Sequence, residues 1–133
     1  MLEAWVPHLK IKRLVVADDE AASNALMRAA MTMAVPEDVE VVISKVDQTN
    51  FSGIAKDTVP SLVLLRDVSA VVMARKFGLP DGPLNIGNVH AGTGRSQVTR
   101  AVFLTPQERV ELKGLGMQVT LQSVPNDNPV VLS

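Results

Sequence analysis

Residues 13–20 read Arg13-Leu14-Val15-Val16-Ala17-Asp18-Asp19-Glu20. A short apolar run rich in β-branched residues and closed by carboxylates predicts a buried strand ending at a helix start. Asp18 or Asp19 caps that helix, and Glu20 lies in its first turn, where the helix dipole favours negative charge. Ala22, Leu26, Ala29 and Met33 then recur at helical spacing, with Pro36 just beyond the end.

The same alternation continues outward. Val39–Ile43 predicts the next strand, 47–56 a helix weakened by Gly53, and Ser61–Leu65 a third, fully buried strand. Asp67 caps a helix whose face is Val68, Val71 and Val72 and which Gly78 ends. Leu84–Ile86 is a short strand, followed by the glycine-rich loop Gly87-Asn88-Val89-His90-Ala91-Gly92-Thr93-Gly94. Residues 97–104 are mostly extended. Thr105-Pro106-Gln107-Glu108 combines a Thr cap, Pro at the first position and Glu at the third, a capping box. That helix ends near Gly114 or Gly116, residues 117–124 form a last strand, and 125–129 are turn-like. Short connections between alternating strands and helices predict a single-domain, three-layer α/β sandwich with a mostly parallel central sheet. Ahead of all this, Leu2–Leu9 reads as helix with no strand before it, so the first βα unit lacks its β half.

Composition excludes several classes. The chain has 133 residues, 13 Lys plus Arg against 14 Asp plus Glu, 47% apolar residues and no cysteine. That length suits one core. A net charge near −1 gives no footprint for nucleic acid. Without cysteine there are no disulfides, no thiolate zinc sites and no cysteine nucleophile. Aromatic residues make up 3% of the chain, too few for a base-stacking platform or an aromatic-lined sugar site. No apolar stretch is long enough to span a membrane and no signal peptide is visible, so the expected location is the cytoplasm.

In parallel sheets ligands sit beyond the carboxyl ends of the strands. On that edge the sequence gathers Asp18, Asp19, Arg66, Asp67 and the 87–94 loop. The loop's glycines allow close approach, and successive backbone N–H groups can form an anion nest; the plainer reading is a flexible turn. It lacks the lysine and following helix of a P-loop and the spacing of a dinucleotide fingerprint. His90 has the chemistry to bind phosphate or carry a proton, or is simply solvated. Asp18 and Asp19 either hold Mg²⁺ or only cap a helix. Arg66 and Arg95 pair with phosphate, with a partner's carboxylate, or with water. His8 interacts with the end of its own helix, and Met27, Met31 and Met33 fill the core.

With those segments in place, the chain resembles the mannose/sorbose-family IIB components of the bacterial phosphotransferase system (PTS). Residues 3–10 (Glu-Ala-Trp-Val-Pro-His-Leu-Lys), Arg13 to Ala22, Asn85-Ile86-Gly87-Asn88-Val89-His90 and residues 97–104 carry the likeness. It implies a phosphoryl carrier that accepts phosphate from a phosphohistidine on a IIA protein. The carrier holds it on its own histidine and passes it to a sugar entering through membrane IIC and IID components, at the inner membrane face. No cofactor, metal or nucleic acid is implied. Other IIB families use a phosphocysteine, so the absence of cysteine fits the histidine-using branch. The family's accepting histidine lies in a loop between its first strand and first helix, in an Arg-Leu-Ile-His-Gly-Gln type motif. The resemblance places that motif upstream of Met1, and neither His8 nor His90 matches its position. It therefore assigns no catalytic residue here, only a phosphate- or partner-binding loop of Gly87, Asn88, His90 and Gly92, with Asp19 and Arg66 in support. A misassigned start at Met1 is favoured over natural truncation, and sheet edges left open by the absent strand are expected to pair, for instance with a second copy. The alternative is a non-catalytic α/β module docking a IIA-like protein or a small anion.

Overall fold

The computed structural model describes residues 2–132. The expected junction at Met1 with an upstream histidine loop lies outside the described residues. Those described divide into two compact units, Leu2–Pro80 and 81–132, each considered by itself. In the first, α1 (Leu2–Leu9) leads into β1 (Arg13–Ala17), α2 (Asp19–Ser23), α3 (Ala25–Met33), β2 (Glu40–Ser44), a 3₁₀ turn (Val46–Gln48), α4 (Phe51–Lys56), β3 (Ser61–Leu65) and α5 (Val68–Lys76). The strands form a parallel sheet in the order β2-β1-β3, with Leu14 opposite Val41 and Leu62. β1 is the central strand, and Leu14 to Ala17 are fully buried. Strands flanked on both edges and covered on both faces read as continuous apolar runs, as this one does.

Strand alternation sends the two faces to two cores. Leu14 and Val16 pack with Val6, Ile11, Ala21 and Val39 on one side. Ala17 packs with Val46, Phe51 and Ala74 on the other. Because β2 and β3 lie on opposite sides of β1, right-handed crossovers must place their helices on opposite faces. The layering is therefore dictated by strand order.

Two predicted helices are broken, each at an asparagine. The helix expected from Asp18 to Met33 is two. Asn24 is extended (φ −120°) and its side chain accepts a hydrogen bond from Met27 N at 3.1 Å, capping α3. The helix expected over 47–56 divides in the same way: Asn50 caps α4 by accepting from Gly53 N at 3.0 Å. Asparagine offers the backbone a side-chain partner that competes with helix continuation. At Gly53 a Cβ would lie 2.5 Å from the Asn50 amide nitrogen, so the glycine makes room for the cap. The break at Asn24 also alters which side of α3 is buried. Met27 and Met31 pack on the core as expected, whereas Leu26 is 79% and Met33 85% exposed.

The second unit contains β4 (Pro83–Ile86), β5 (Ser96–Thr99), β6 (Val102–Leu104), α6 (Pro106–Gly114), β7 (Gln118–Leu121) and β8 (Val130–Val131). β4 and β7 pair in parallel, β7 and β8 antiparallel, and β5 and β6 form a bulged antiparallel hairpin. The α/β class and the predominance of parallel pairing match the sequence reading. The described strands are hydrogen-bonded as two three-stranded sheets and a two-stranded ribbon, not as one sheet. The capping box forms as predicted, and Gly78 ends α5 at φ 105°. β8 had no sequence signal: it is two residues long, and the turn at 125–129 folds it back onto β7.

Candidate functional site

In the first unit, the carboxyl ends of β1 and β3 carry a connected set of charges. Asp18 caps α2 by accepting from Glu20 N at 3.1 Å. Its other oxygen accepts from Arg66 Nε at 3.1 Å and lies 3.0 Å from Nη2, while Arg66 Nη1 lies 2.7 Å from Glu20. The Asp18 side chain is 12% exposed and that of Arg66 45%. The Asp18 hydrogen bond, with Glu20 adding to it, holds the Arg66 guanidinium charged beyond its already high range. Asp19 accepts from Val46 N at 3.0 Å, tying α2 to the turn after β2, and Asp67 caps α5 through Ala70 N at 2.8 Å. Both carboxylates of the Asp18–Asp19 pair are thus engaged as caps and ties. This structural role accounts for them without Mg²⁺. Sequence reasoning placed Asp18, Asp19, Arg66 and Asp67 on one edge, and the structure does so. It did not identify Asp18 and Glu20 as the partners of Arg66, because 48 positions separate Arg66 from Asp18.

In the second unit, the 87–94 loop leaves the end of β4 and is fastened at three points. Ser123 Oγ donates to Gly87 O at 2.8 Å. Val89 N donates to Ala101 O at 2.9 Å, and Phe103 N donates to Val89 O at 3.0 Å. Arg95 closes the far end. Its Nη1 donates to His90 O at 3.0 Å, its Nε and Nη2 reach the two oxygens of Glu108 at 3.2 Å each, and its backbone N donates to Gly92 O. Gly94 takes φ 77°, a conformation that favours glycine. The loop is therefore pinned, not the flexible turn that composition alone suggests. Asn88, His90 and Gly92 remain exposed along it, while Gly87 is half-buried.

Arg95, read from the sequence as meeting phosphate, a partner's carboxylate or only water, meets its own chain's Glu108. Glu108 in turn accepts from Thr105 N at 2.9 Å and completes the capping box. One carboxylate thereby ties the loop to the start of α6. Burial pulls its pKa up, but the Thr105 backbone hydrogen bond and Arg95 outweigh that and hold it below the usual range. In the first unit, Arg13 lowers Asp57 in the same way, through a 2.9 Å contact. A carboxylate whose pKa is depressed on folding contributes stability that is fully present above its unfolded value and is lost as pH falls through the folded one. The ordinary values are 4.5 for Glu108 and 3.8 for Asp57. The urea midpoint is therefore expected to hold steady down to roughly pH 5 and to fall below that. A midpoint unchanged through the acid range would contradict these ion pairs.

Of the two histidines, His8 lies in the last turn of α1, its ring edge-on to Trp5 with centroids 5.9 Å apart. His90 is exposed on the loop. Among the described residues no three or more His, Asp or Glu side chains gather as a metal site, and no helix is long and apolar enough to cross a membrane.

The chain is an α/β protein with parallel β-α units and a pinned, glycine-rich loop after β4 whose Asn88, His90 and Gly92 face solvent. The profile of the PTS system sorbose subfamily IIB component matches residues 2–133, and the chain belongs to that family. It is 23% identical over 133 residues to the fructose-specific EIIB component of the PTS system of Bacillus subtilis (strain 168), covering 96% of this chain and 81% of that protein. It is 25% identical over 134 residues to the N-acetylgalactosamine-specific phosphotransferase enzyme IIB component 2 of Escherichia coli (strain K12), covering 96% and 84%. Among solved structures, manxB from Thermoanaerobacter tengcongensis superposes with a TM-score of 0.83 at 26% identity, covering 98% of this chain and 82% of that one. IIB components of the family are phosphotransferases of sugar transport.

Proposed function

We propose that residues 1–133 form the IIA-docking part of a sugar phosphotransferase IIB component. The exposed stretch Asn88–Gly92 is the surface that meets the phosphorylated partner. Within the first unit, Arg66 and Asp19 are proposed as supporting residues at the strand ends, considered apart from the loop. The observation carrying this reading is the loop itself: Asn88, His90, Ala91 and Gly92 offered to solvent on a backbone pinned by Ser123, Ala101 and Arg95. Phosphoryl transfer asks for positioning and charge stabilisation more than for covalent chemistry from the protein. A pre-set loop supplies positioning without an ordering cost on binding. The phosphoryl group passes from IIA phosphohistidine to a IIB histidine and then to a sugar handled with IIC and IID. Neither His8 nor His90 stands where the family's accepting histidine does, so His90 acts here as a docking residue.

Calorimetric titration with a phosphorylated IIA protein of the same family tests the docking role. Asn88→Ala together with His90→Ala is expected to weaken binding about tenfold, the loss of one or two interfacial hydrogen bonds. Unchanged affinity in the double variant would remove the loop from the interface.

A further inference from the structure

We propose that Arg100 is the residue by which this chain distinguishes phosphorylated IIA from the unphosphorylated protein. The inference rests on the docking role given above to the 87–94 loop, and it begins with charge. Between Asp81 and Glu108 the sequence contains no acidic residue, and its only lysines or arginines there are Arg95 and Arg100. The carboxylate that folding brings to the loop is Glu108, and Arg95 engages both of its oxygens at 3.2 Å each. The remaining guanidinium nitrogen of Arg95 donates to His90 O at 3.0 Å, so all three are committed within the chain. Arg100 differs. It is exposed, and among the described residues its guanidinium makes no ion pair or hydrogen bond.

Its place in the fold sets it beside the loop. Arg100 stands in the turn between β5 and β6. The next residue, Ala101, accepts from Val89 N at 2.9 Å, and Val89 and Val102 are bridged in parallel. Arg100 and the exposed Asn88 each lie one Cα step, about 3.8 Å, from the two residues that this hydrogen bond joins. The bond therefore holds the backbone of Arg100 against the exposed part of the loop. A phosphoryl group on a partner brings a charge of about −1.5 to −2 and three acceptor oxygens. A guanidinium is always charged, and its planar fork can donate to two such oxygens at once. Arg95 could serve only by releasing Glu108 and with it the tie to α6. Arg100 breaks no internal pair when it turns to an anion. An unphosphorylated histidine offers it no anion, whereas Asn88 and His90 have polar groups that suit either form of the partner.

Calorimetric titration of the 133-residue chain with phosphorylated and with unphosphorylated IIA of the same family tests this. The unaltered chain is expected to prefer the phosphorylated form about tenfold, the effect of one charge-assisted contact. Arg100→Gln should weaken binding of the phosphorylated form about tenfold and of the unphosphorylated form by less than about twofold, erasing most of the preference. Arg100→Lys keeps the charge and loses the fork, and should recover part of it. Both variants lie at an exposed turn position, so their circular dichroism melts should coincide with that of the unaltered chain. An unaltered chain that binds both forms equally overturns the inference and leaves the docking role standing. So does Arg100→Gln with no loss, or with equal losses for both forms, which would mark a contact to the partner's own carboxylates. A chain that binds neither form removes the docking role, and this inference with it.

Discussion

Phe51→Ala is expected to destabilise the protein by about 3–5 kcal/mol, the usual cost of deleting a fully buried phenylalanine. Phe51 is the largest of the completely buried side chains, at 1% exposure. It opens α4 and packs with Ala17, Val46 and Ala74 beneath β1. Ala17 and Ala74 are small and lie on regular elements, so the surrounding wall has little freedom to close over the missing ring. For a domain of this size the change corresponds to a fall in melting temperature of roughly 10–20 °C. Thermal unfolding by circular dichroism measures it. A loss below about 1 kcal/mol would mean that the α4 face of the sheet is not packed as described.

Glu108→Ala is the second large effect, expected at about 2–3 kcal/mol. Two losses combine: the reciprocal cap with Thr105 and a paired hydrogen bond from the Arg95 guanidinium. The Glu108 side chain is only 17% exposed, so water does not fully replace either partner. Glu108→Gln separates the two contributions. Glutamine can still close the capping box, and its cost should be nearer about 1 kcal/mol. The two variants also differ in reach. Releasing Arg95 frees the carbonyl of His90, so hydrogen exchange in residues 87–95 should rise in Glu108→Ala while α5 of the other unit keeps its protection. Equal costs for both variants, with no change in the loop, would separate Glu108 from the loop's geometry.

Much of this molecule was legible because local signals agreed. β1 and β3 are apolar runs bounded by charged or turn residues, Thr105-Pro106-Gln107-Glu108 states its cap outright, and Gly78 falls at the end of α5. The misreadings came where a local hydrogen bond overrode periodicity. Asn24 and Asn50 each end one helical segment and begin another. The break at Asn24 leaves Leu26 and Met33 facing water although their spacing is that of an apolar face. At the site, the residue types were readable and their partners were not. Arg66 finds Asp18 and Glu20, and Arg95 finds Glu108, only because the chain folds back, and no sequence spacing encodes those pairs. The loop's rigidity was hidden for the same reason. Glycine content predicts freedom, but Ser123, Ala101 and Arg95 remove it.

In the proposed function, these residues recognise a phosphorylated IIA protein through the 87–94 loop, and His90 docks the partner without accepting its phosphoryl group. Radiolabelled phospho-IIA mixed with the 133-residue chain, followed by peptide mapping under alkaline conditions that preserve phosphohistidine, tests it most directly. The expected result is a complex in which the label stays on IIA and neither His8 nor His90 carries phosphate. Stable label on His90, or the absence of any complex, would contradict the account.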